Sequence, residues 1–386
     1  MSWKTIAHSR LKQLQDSPLF ALQKLWPEPA ERSLIDKDLF ADHLISPYYL
    51  VFVDGFFEPA LSQLPKGLVC MPLSAAFKSY GLFLHNRLNQ RFREECDPLV
   101  LLNALHESEG VFLYAPEQFH CETILQIHCV FTKKQLAAPR VQATIGRKAA
   151  LSFVQTVQTL DPCIICNSSV DLVLEKDARV QWVDLALLPA QAQFFCSASA
   201  TVKTAAHLEI FRATSGAQQM RISDRIELVE PQSFALLRHL GMLHAERQAQ
   251  IQTHVEHKAY DCTSRQEIKI ALNGNSRSCF EGKIYVHPEA QKTNSYQSCR
   301  NLLLSDAANA SAKPNLEIFA DDVKASHGAT FSTLSEDELL YLRARGIGVV
   351  EAKQLLVEGF CRSLIDSIDR MQLRRPLLLA MQRMLQ

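Results

Sequence analysis

The amino-acid sequence predicts a mainly β protein whose central strands are flanked by helical regions at both ends. Apolar residues recur at spacings of three and four near the N-terminus and again after Thr330, which is typical of amphipathic helices. Between them, short β-favouring segments such as Val111–Tyr114 and Val170–Leu174 follow one another. We therefore expect a mainly helical region with a small hairpin over residues 1–108, a β core over 109–325 and a helical domain over 326–386.

The N-terminal region is expected to contain two helices and a strand. Apolar residues at helical spacing run from Leu11 to Trp26, and Pro27 ends that pattern. Tyr48–Val53 is aromatic and β-branched, and the Asp54-Gly55 pair behind it predicts one strand of a hairpin. Asn86–Leu105 is predicted to be helical.

One pattern recurs in the β core: two apolar residues separated by a single position. Its copies begin at Leu151, Val180, Leu208 and Phe234, so the spacings are 29, 28 and 26 residues (180−151, 208−180, 234−208). A near-constant spacing suits a β-solenoid, in which each coil stacks its strands on the coil below. An antiparallel β-sandwich with irregular turns is the alternative, and four imperfect copies do not decide between the two.

The C-terminal region is expected to be a small helical domain. Ser335–Glu338 has the capping-box pattern that begins a helix, and Gly346 is expected to end that helix. Glu351–Ile368 places its apolar residues on one helical face, and Pro376 is expected to open a last short helix.

Composition restricts the classes of partner. Lysine plus arginine and aspartate plus glutamate both number 41, so the chain has no bulk charge that would attract nucleic acid or an anionic membrane. No apolar run approaches the ~20 residues of a membrane span, and Met1–His8 lacks signal-peptide features, so we expect a cytoplasmic chain. In that reducing compartment the 11 cysteines are expected to be thiols or metal ligands.

Motifs of common enzymes are missing from the sequence. It contains no Gly-x-x-x-x-Gly-Lys-Ser/Thr phosphate loop, no Gly-x-Ser-x-Gly elbow and no His-Glu-x-x-His helix. Cys163 and Cys166 form a lone Cys-x-x-Cys, and His254 and His257 flank a glutamate. Alternation along a strand would point the members of each pair to opposite faces, so we interpret all four as structural. The sequence predicts a protein that is not an enzyme.

The stretch from Phe280 to Ile347 is dense in distinctive motifs. They are Phe280-Glu-Gly-Lys-Ile284, Ala290-Gln-Lys-Thr293, Asn301-Leu-Leu-Leu-Ser305, Leu316-Glu-Ile318, Ala320-Asp-Asp-Val-Lys324, His327-Gly-Ala-Thr330 and Tyr341-Leu-Arg-Ala-Arg-Gly-Ile347. In these motifs the sequence resembles the SufB/SufD family of iron–sulfur cluster assembly proteins, and within it the SufD branch. Weaker similarity at Val51–Gly55 and Thr263–Gln266 extends the resemblance over most of the chain.

The resemblance implies a fold and a function. The fold is a right-handed parallel β-helix flanked by helices, which favours the solenoid over the sandwich. The function is that of a non-catalytic scaffold subunit of the SUF (SufBCD) complex, which pairs with SufB through its β-helix and binds the ATPase SufC through its C-terminal helical domain. A homodimer of the isolated chain, without SufB, is also compatible with the sequence. The resemblance implies no stably bound cofactor or metal, only a transient iron–sulfur cluster at the SufB interface.

His327 is the first candidate site residue. A neutral imidazole is a good iron ligand, and a carboxylate such as Asp321 or Asp322 would orient its second nitrogen. The alternative is a hydrogen-bonded structural histidine. The resemblance places this histidine at the SufB interface and implies a role in cluster assembly and iron acquisition.

Cys299 is a second candidate because Ala325 stands where many SufD sequences have a cysteine. Counting back from Asp306 aligns Cys299 with the sulfur-accepting cysteine of SufB, whereas counting forward from Gln297 puts Ser298 there. A thiolate accepts persulfide sulfur and binds iron, so Cys299 is predicted to join His327. An inert buried thiol is the alternative.

A docking surface for SufC is expected at the start of the C-terminal domain, with a solvated helix that packs only on its own domain as the alternative. Its predicted residues are Tyr341, Leu342, Arg345, Gly346, Ile347, Glu351 and Ala352. Two other functions compete with the scaffold: a carbohydrate-active β-helix enzyme using Asp321 and Asp322 as paired carboxylates, and a metal-free interaction module. Adjacent aspartates on a strand diverge, which counts against the enzyme.

Overall fold

The chain winds into a β-solenoid of about eight turns, in which most coils contribute one strand to each of two stacked sheets. The structure, a computed structural model, describes residues 3–14, 32–106, 110–368 and 370–385. Every pairing between the strands described is parallel except two antiparallel pairs at the N-terminal end. The predicted mainly β solenoid with helices at both ends is confirmed.

Strand numbers follow the chain, whereas the order of the strands within each sheet follows the stacking of the coils. Sheet A contains β2 (Phe56–Phe57), β1 (Tyr48–Val53), β5 (Leu125–Phe131), β8 (Ala150–Thr159), β10 (Arg179–Leu187), β12 (His207–Ser215), β14 (Phe234–Leu243), β16 (Thr263–Leu272), β18 (Asn294–Leu303) and β20 (Lys324–Ser332). Sheet B contains β19 (Asn309–Ile318), β17 (Arg277–Val286), β15 (Gln248–His257), β13 (Gln219–Leu228), β11 (Gln193–Val202), β9 (Ile165–Leu174), β7 (Arg140–Ile145), β4 (Val111–Ala115) and β3 (Val69–Pro72), while β6 (Leu136–Ala137) pairs with β9.

Alternation along each strand fills the space between the sheets. On β10, Val180 and Trp182 face inward and are buried, whereas Arg179 is exposed. The rings of Trp182 and Phe153, on adjacent strands, lie 4.9 Å apart between centroids. Because paired residues of in-register parallel strands share a face, each inward position forms a column that runs along the solenoid.

The register confirms three copies of the predicted repeat and corrects the fourth. Leu151, Val180 and Leu208 pair with one another on adjacent strands of sheet A. The next residue in this column is Ala235, not Phe234, so the last spacing is 27 residues (235−208). Phe234 instead stacks outside the core on His207, with 4.1 Å between ring centroids.

A corner residue explains this register. One residue with a left-handed backbone, φ between 51° and 61°, lies three positions before the inward residue at the start of each of these sheet A strands. These residues are Lys148, Asp177, Ala205, Gln232, Asp261 and Lys292. Few non-glycine residues adopt this conformation, so it marks the turn of the coil more sharply than the apolar pattern does.

The N-terminal region supplies strands as well as helices. The predicted hairpin is present: β1 pairs with β2 through a turn in which Asp54 and Gly55 both have positive φ, 49° and 88°. β1 also pairs in parallel with β5, so sheet A begins well before the expected boundary at residue 109. Its apolar side chains are buried on both faces, which a lone hairpin does not provide.

Four α-helices accompany these strands: α1 (Trp3–Gln13), α2 (Leu73–Ser79), α3 (Gly81–Glu94) and α4 (Pro98–Leu105). The helix expected over Asn86–Leu105 is therefore two helices. Asp97 caps α4 by accepting a hydrogen bond from the Leu99 amide at 2.9 Å, and Pro98 suits a first helical position but not a helix interior. Of the helix expected over residues 11–26, residues 15–26 lie outside the described part of the chain.

The C-terminal domain contains α5 (Glu336–Ala344), α6 (Val349–Ile365) and α7 (Met371–Leu385). Ser335 caps α5 as predicted, since its hydroxyl accepts from the Glu338 amide at 3.3 Å, and Gly346 follows its end with φ of 86°. Pro376 lies inside α7 and does not open it. The helix extends back to Met371 because Leu373 packs in the same buried cluster as residues behind the proline.

The helices α6 and α7 cover the outer face of sheet A. Val357 and Leu364 of α6 and Met381 of α7 share one buried cluster with outward residues of sheet A, among them Val183 and Phe211. The last strand, β20, ends at Ser332, beyond the expected boundary at residue 325. Residue 327 consequently belongs to the β core and not to the helical domain.

Candidate functional site at the terminal coil

The solenoid ends in a coil whose edges are open. β19 and β20 are the last strands of sheets B and A, and among the described strands none pairs with their far edges. An open strand edge presents a row of unpaired amides and carbonyls that a further strand can meet. Ile318, Phe319 and Phe331 lie exposed on this coil, with Phe331 49% accessible.

His327 lies in the middle of β20, in register with Gln297 of β18. Gln297 is fully buried, so this position faces the interior of the solenoid, but no further coil covers it among the described residues and His327 is exposed. Its imidazole forms no hydrogen bond or ion pair with any residue that the structure describes. The inward neighbours along the strand are Ala325 and Ala329, whose methyl groups leave the ring accessible.

The expected carboxylate partner of His327 is not found among the described residues. Asp321 and Asp322 lie in the turn before β20, and neither is ion-paired or hydrogen-bonded to the imidazole. The main chain of Asp322 instead holds the coil corner: its carbonyl accepts from the Lys292 amide at 2.6 Å, and its amide donates to Gln291 Oε1 at 2.9 Å. The role of Asp322 is structural in this arrangement.

Cys299 lies near His327 in the fold but is shut away from solvent. It faces inward on β18 with 0% exposure and pairs with Ala329, two positions along β20 from His327. Asn301 Nδ2 donates to its sulfur at 3.4 Å. Burial raises the pKa of the Cys299 thiol to about 12, so the thiolate that attacks persulfide or binds iron is not favoured here.

The expected docking surface is only partly at the surface. Tyr341, Arg345 and Glu351 are exposed, and the Arg345 guanidinium lies 4.9 Å from the centroid of the Tyr341 ring. Gly346 is also exposed, whereas Leu342 and Ile347 are half-buried. Ala352 is 0% exposed because α6 presses it into the domain, so it cannot touch a partner directly.

Sequence reasoning missed three exposed apolar residues beside this surface. Leu340 is 65% exposed on α5, and Val349 and Val350 are exposed at the start of α6. α5 itself buries none of its residues. The available signal was the run of apolar residues from Leu339 to Leu342, which is too continuous for a helix with one buried face.

The members of the two other residue pairs that the sequence singled out differ in position and in burial. His254 faces outward and His257 inward on β15, where His257 Nε2 lies 2.8 Å from Ser264 Oγ. Cys166 is buried on β9, and Cys163 lies in the turn before it. In the described ranges, no three histidine, cysteine, aspartate or glutamate side chains form a group that would hold a metal ion.

A cleft of about 780 Å³ lies between α3 and the outer face of sheet B. Its charges are internally compensated: Arg91 pairs with Asp171 at 3.0 Å, and Arg221 pairs with Asp97 at 2.5 Å. These ion pairs connect the N-terminal helices to the solenoid. They leave little net electrostatic potential in the cleft to attract a charged ligand. None of the helices described is both long and apolar enough to cross a membrane.

Two family models match the chain and together run from residue 41 to residue 360. Residues 128–360 match the model described as "SUF system FeS cluster assembly, SufBD core domain". Residues 41–127 match the model described as "SufBD protein N-terminal region". The first match alone covers more than half of the chain, including β20 and α5.

Individual relatives agree with these matches. An iron-sulfur cluster assembly SufBD family protein of Synechocystis sp. is 25% identical over 338 residues, which cover 83% of this chain and 74% of the relative. Protein ABCI7, a chloroplastic protein of Arabidopsis thaliana, is 28% identical over 84% of this chain and 71% of its own length. The iron-sulfur cluster assembly protein SufD of Escherichia coli is 39% identical over a shorter stretch, 30% of this chain and 27% of the relative.

Proposed function

The chain belongs to the SufB/SufD family of SUF-system iron–sulfur cluster assembly proteins, and we propose that it is the SufD-type subunit of a cytoplasmic SUF complex. In this role it is a non-catalytic scaffold that pairs with SufB, binds the SufC ATPase and contributes His327 to the place where a nascent cluster forms. The observation that carries the proposal is an exposed imidazole, unpaired among the described residues, at the open end of the solenoid.

Pairing with SufB is supported by the terminal coil. The free edges of β19 and β20 offer backbone hydrogen bonds to strands of a second solenoid. Exposed Phe319 and Phe331 supply the apolar contacts that the centre of an interface needs. A partner that covers this end would also cover His327, and the imidazole would then lie between two subunits.

Iron and sulfide are the cargo of this interface and not resident cofactors of the chain. A neutral imidazole binds iron through its one lone pair and needs no deprotonation of a buried thiol. His327 meets that requirement because nothing among the described residues competes for its nitrogens. Ala325 and Cys299 supply no accessible thiolate beside it, so sulfur must be delivered by the partner.

Binding of SufC is supported by the surface around α5. Leu340 and Tyr341 are exposed on α5, a helix with no buried residue, and Val350 is exposed near the start of α6. Leu340 and Tyr341 are consecutive in the chain, and large apolar side chains exposed side by side are typical of an interaction site. Nucleotide chemistry belongs to the partner, in line with the missing phosphate loop.

The competing functions lack comparable support. A carbohydrate-active enzyme needs two carboxylates facing one substrate, whereas Asp321 and Asp322 are consecutive residues in a turn. A metal-free interaction module would share the open edges and the α5 surface but has no use for a free imidazole. The iron and sulfide bound to the complex therefore distinguish a metal-free interaction module from the proposed scaffold.

The test is co-expression of the full chain with SufB and SufC, followed by measurement of co-purified subunits and of bound iron and sulfide. His327→Ala is expected to retain both partners and lose most of the iron and sulfide. Ser326→Ala, next to it on β20, is the matched control and is expected to load as the wild type does. An unaltered load in His327→Ala would remove the proposed role.

A further inference from the structure

Gln297 has a buried acceptor with no donor among the described residues. The residue is 0% exposed, and its Nε2 donates to Gln266 Oε1 at 3.0 Å. Its Oε1 is hydrogen-bonded to none of the residues that the structure describes. A buried amide oxygen without a donor is unfavourable, and in native proteins such a group commonly marks a functional contact or a bound water.

The neighbours of Gln297 hold its amide in one place. Gln266 Oε1 also accepts from Thr253 Oγ1 at 2.6 Å, which fixes the group that Gln297 Nε2 donates to. On the facing strand stands Gly282, where a Cβ atom would lie 2.1 Å from Gln297 Nε2. Only glycine leaves room for the amide, so three residues from three strands define its position.

The free acceptor and the free imidazole occupy paired positions. His327 is in register with Gln297, and parallel strands lie roughly 4.8 Å apart, so the two side chains leave the same face of sheet A as nearest neighbours. A neutral imidazole carries one N–H and one lone pair. Gln297 Oε1 lacks a hydrogen-bond donor, and the N–H of a neutral His327 ring is a donor without an acceptor among the described residues.

We propose that Gln297 is the positioning residue of His327. The two groups are not hydrogen-bonded in this structure. A rotation of the exposed His327 side chain brings one ring N–H to Gln297 Oε1, which fixes the tautomer and the ring plane and leaves the other nitrogen's lone pair free. Metal-binding histidines are commonly held in this way by an acceptor behind the ring. The inference rests on the proposed role of His327 and supplies the orienting group that Asp321 and Asp322 do not.

The direct test is the tautomer of His327 in the full-length chain, read from ¹⁵N chemical shifts of histidine-labelled protein and assigned by comparison with His327→Asn. The wild type is expected to show one dominant tautomer. Gln297→Leu, which removes the acceptor at similar volume, is expected to show a mixture of both, while Ser298→Ala on the same strand should match the wild type. Identical signals in wild type and Gln297→Leu would overturn the proposal.

Two measurements keep the proposal testable if Gln297→Leu does not fold. Gly282→Ala leaves Gln297 in the chain but displaces its amide, and the same mixture of tautomers is expected. The wild type alone is also a sufficient test. If its His327 populates both tautomers to the same extent as a histidine in an unstructured peptide, the proposal is contradicted.

Cluster load in the co-expressed complex separates this inference from the proposed function. Gln297→Leu is expected to lower bound iron roughly 10-fold while SufB and SufC still co-purify. If His327→Ala loses its load and Gln297→Leu changes neither load nor tautomer, the positioning role alone is wrong. If Gln297→Leu shifts the tautomer but His327→Ala loads normally, the positioning role stands and the proposed function falls.

Discussion

His327 stands in register with Gln297 on the neighbouring parallel strand, so its nearest inward neighbour is an amide and not a thiol. Cys299 lies diagonally from it, opposite Ala329, and a strand spacing of about 4.8 Å with a rise of about 3.3 Å per residue puts these two positions roughly 8 Å apart. The separation and the full burial of Cys299 divide the two candidate residues between different roles. The imidazole lies at the open end, whereas the thiol packs the core.

We predict that Cys299→Ser leaves the iron and sulfide content of the co-expressed complex unchanged. The pKa of the thiol, raised by burial to about 12, keeps it protonated at neutral pH, and only the thiolate is a nucleophile. Under native conditions iodoacetamide should label Cys96, which is exposed, and spare Cys299, as mass spectrometry of the peptides would show. Native labelling of Cys299, or a loss of cluster in the serine variant, would restore it as a sulfur acceptor.

A second prediction concerns the ion cluster inside the solenoid. Arg212 Nη1 donates to Asp184 Oδ2 at 2.5 Å and its Nη2 to Asp224 Oδ1 at 2.8 Å, with all three side chains buried. Arg212→Met leaves two buried carboxylates without a cation. The free energy of unfolding should fall by about 3–5 kcal/mol, measured by urea denaturation.

The matched control is Arg238→Met. Arg238 pairs with Glu267 at 2.9 Å, but the glutamate side chain is 39% accessible and water screens the pair. We expect a change of at most about 1 kcal/mol. Equal losses of unfolding free energy in the two variants would mean that burial does not determine how much these ion pairs contribute to stability.

The third prediction is a loss of stability in acid caused by buried histidines. Burial lowers the pKa of His257 to about 3 in the folded chain, against 6.5 for an ordinary histidine. Between these values the unfolded chain binds a proton that the folded chain does not, so stability is present above pH 6.5 and is lost as the pH falls towards 3. From about pH 7 to about pH 5, one such histidine lowers the free energy of unfolding by about 2 kcal/mol.

Urea denaturation of wild type and His257→Gln at about pH 7 and about pH 5 checks this. The difference in the free energy of unfolding between the two pH values should be smaller by about 2 kcal/mol in the variant, because glutamine does not titrate. Ser264→Ala removes the hydrogen-bond partner of His257 and should lower stability at both pH values without altering their difference. An unchanged difference in His257→Gln would show that this histidine is protonated in the native state.

Local patterns predicted the β core and its flanking helices, whereas the family resemblance carried by the motifs favoured the solenoid over the sandwich and singled out His327. It could not place Cys299 relative to His327, since residues 28 positions apart (327−299) are related only through the register of two strands. The same limit explains Ala352, which looks like part of a helix surface until α6 packs on the domain. The one-residue shift at Phe234 has a local cause, the corner residue Gln232, which apolar spacing alone does not reveal.

The fourth prediction tests the α5 surface without disturbing the fold. A chain ending at Thr330 is unsuitable for this purpose, because losing α6 and α7 would uncover apolar residues on sheet A such as Val183 and Phe211. Leu340→Asp and Tyr341→Ala are better, since α5 buries no residue and surface changes usually alter stability by no more than about 0.5 kcal/mol.

Each of these two variants should weaken SufC binding by about 2 kcal/mol, or roughly 30-fold in Kd, because truncation of exposed aromatic and apolar anchors removes the central contacts of an interface. Isothermal titration of the purified chain with SufC measures this, and co-purification of SufB should be unaffected. Asp337→Ala, a polar change on the same helix, is the matched control and should bind as the wild type does. Wild-type affinity in both Leu340→Asp and Tyr341→Ala would show that SufC binds elsewhere. If these two residues formed the interface, changing them would weaken binding.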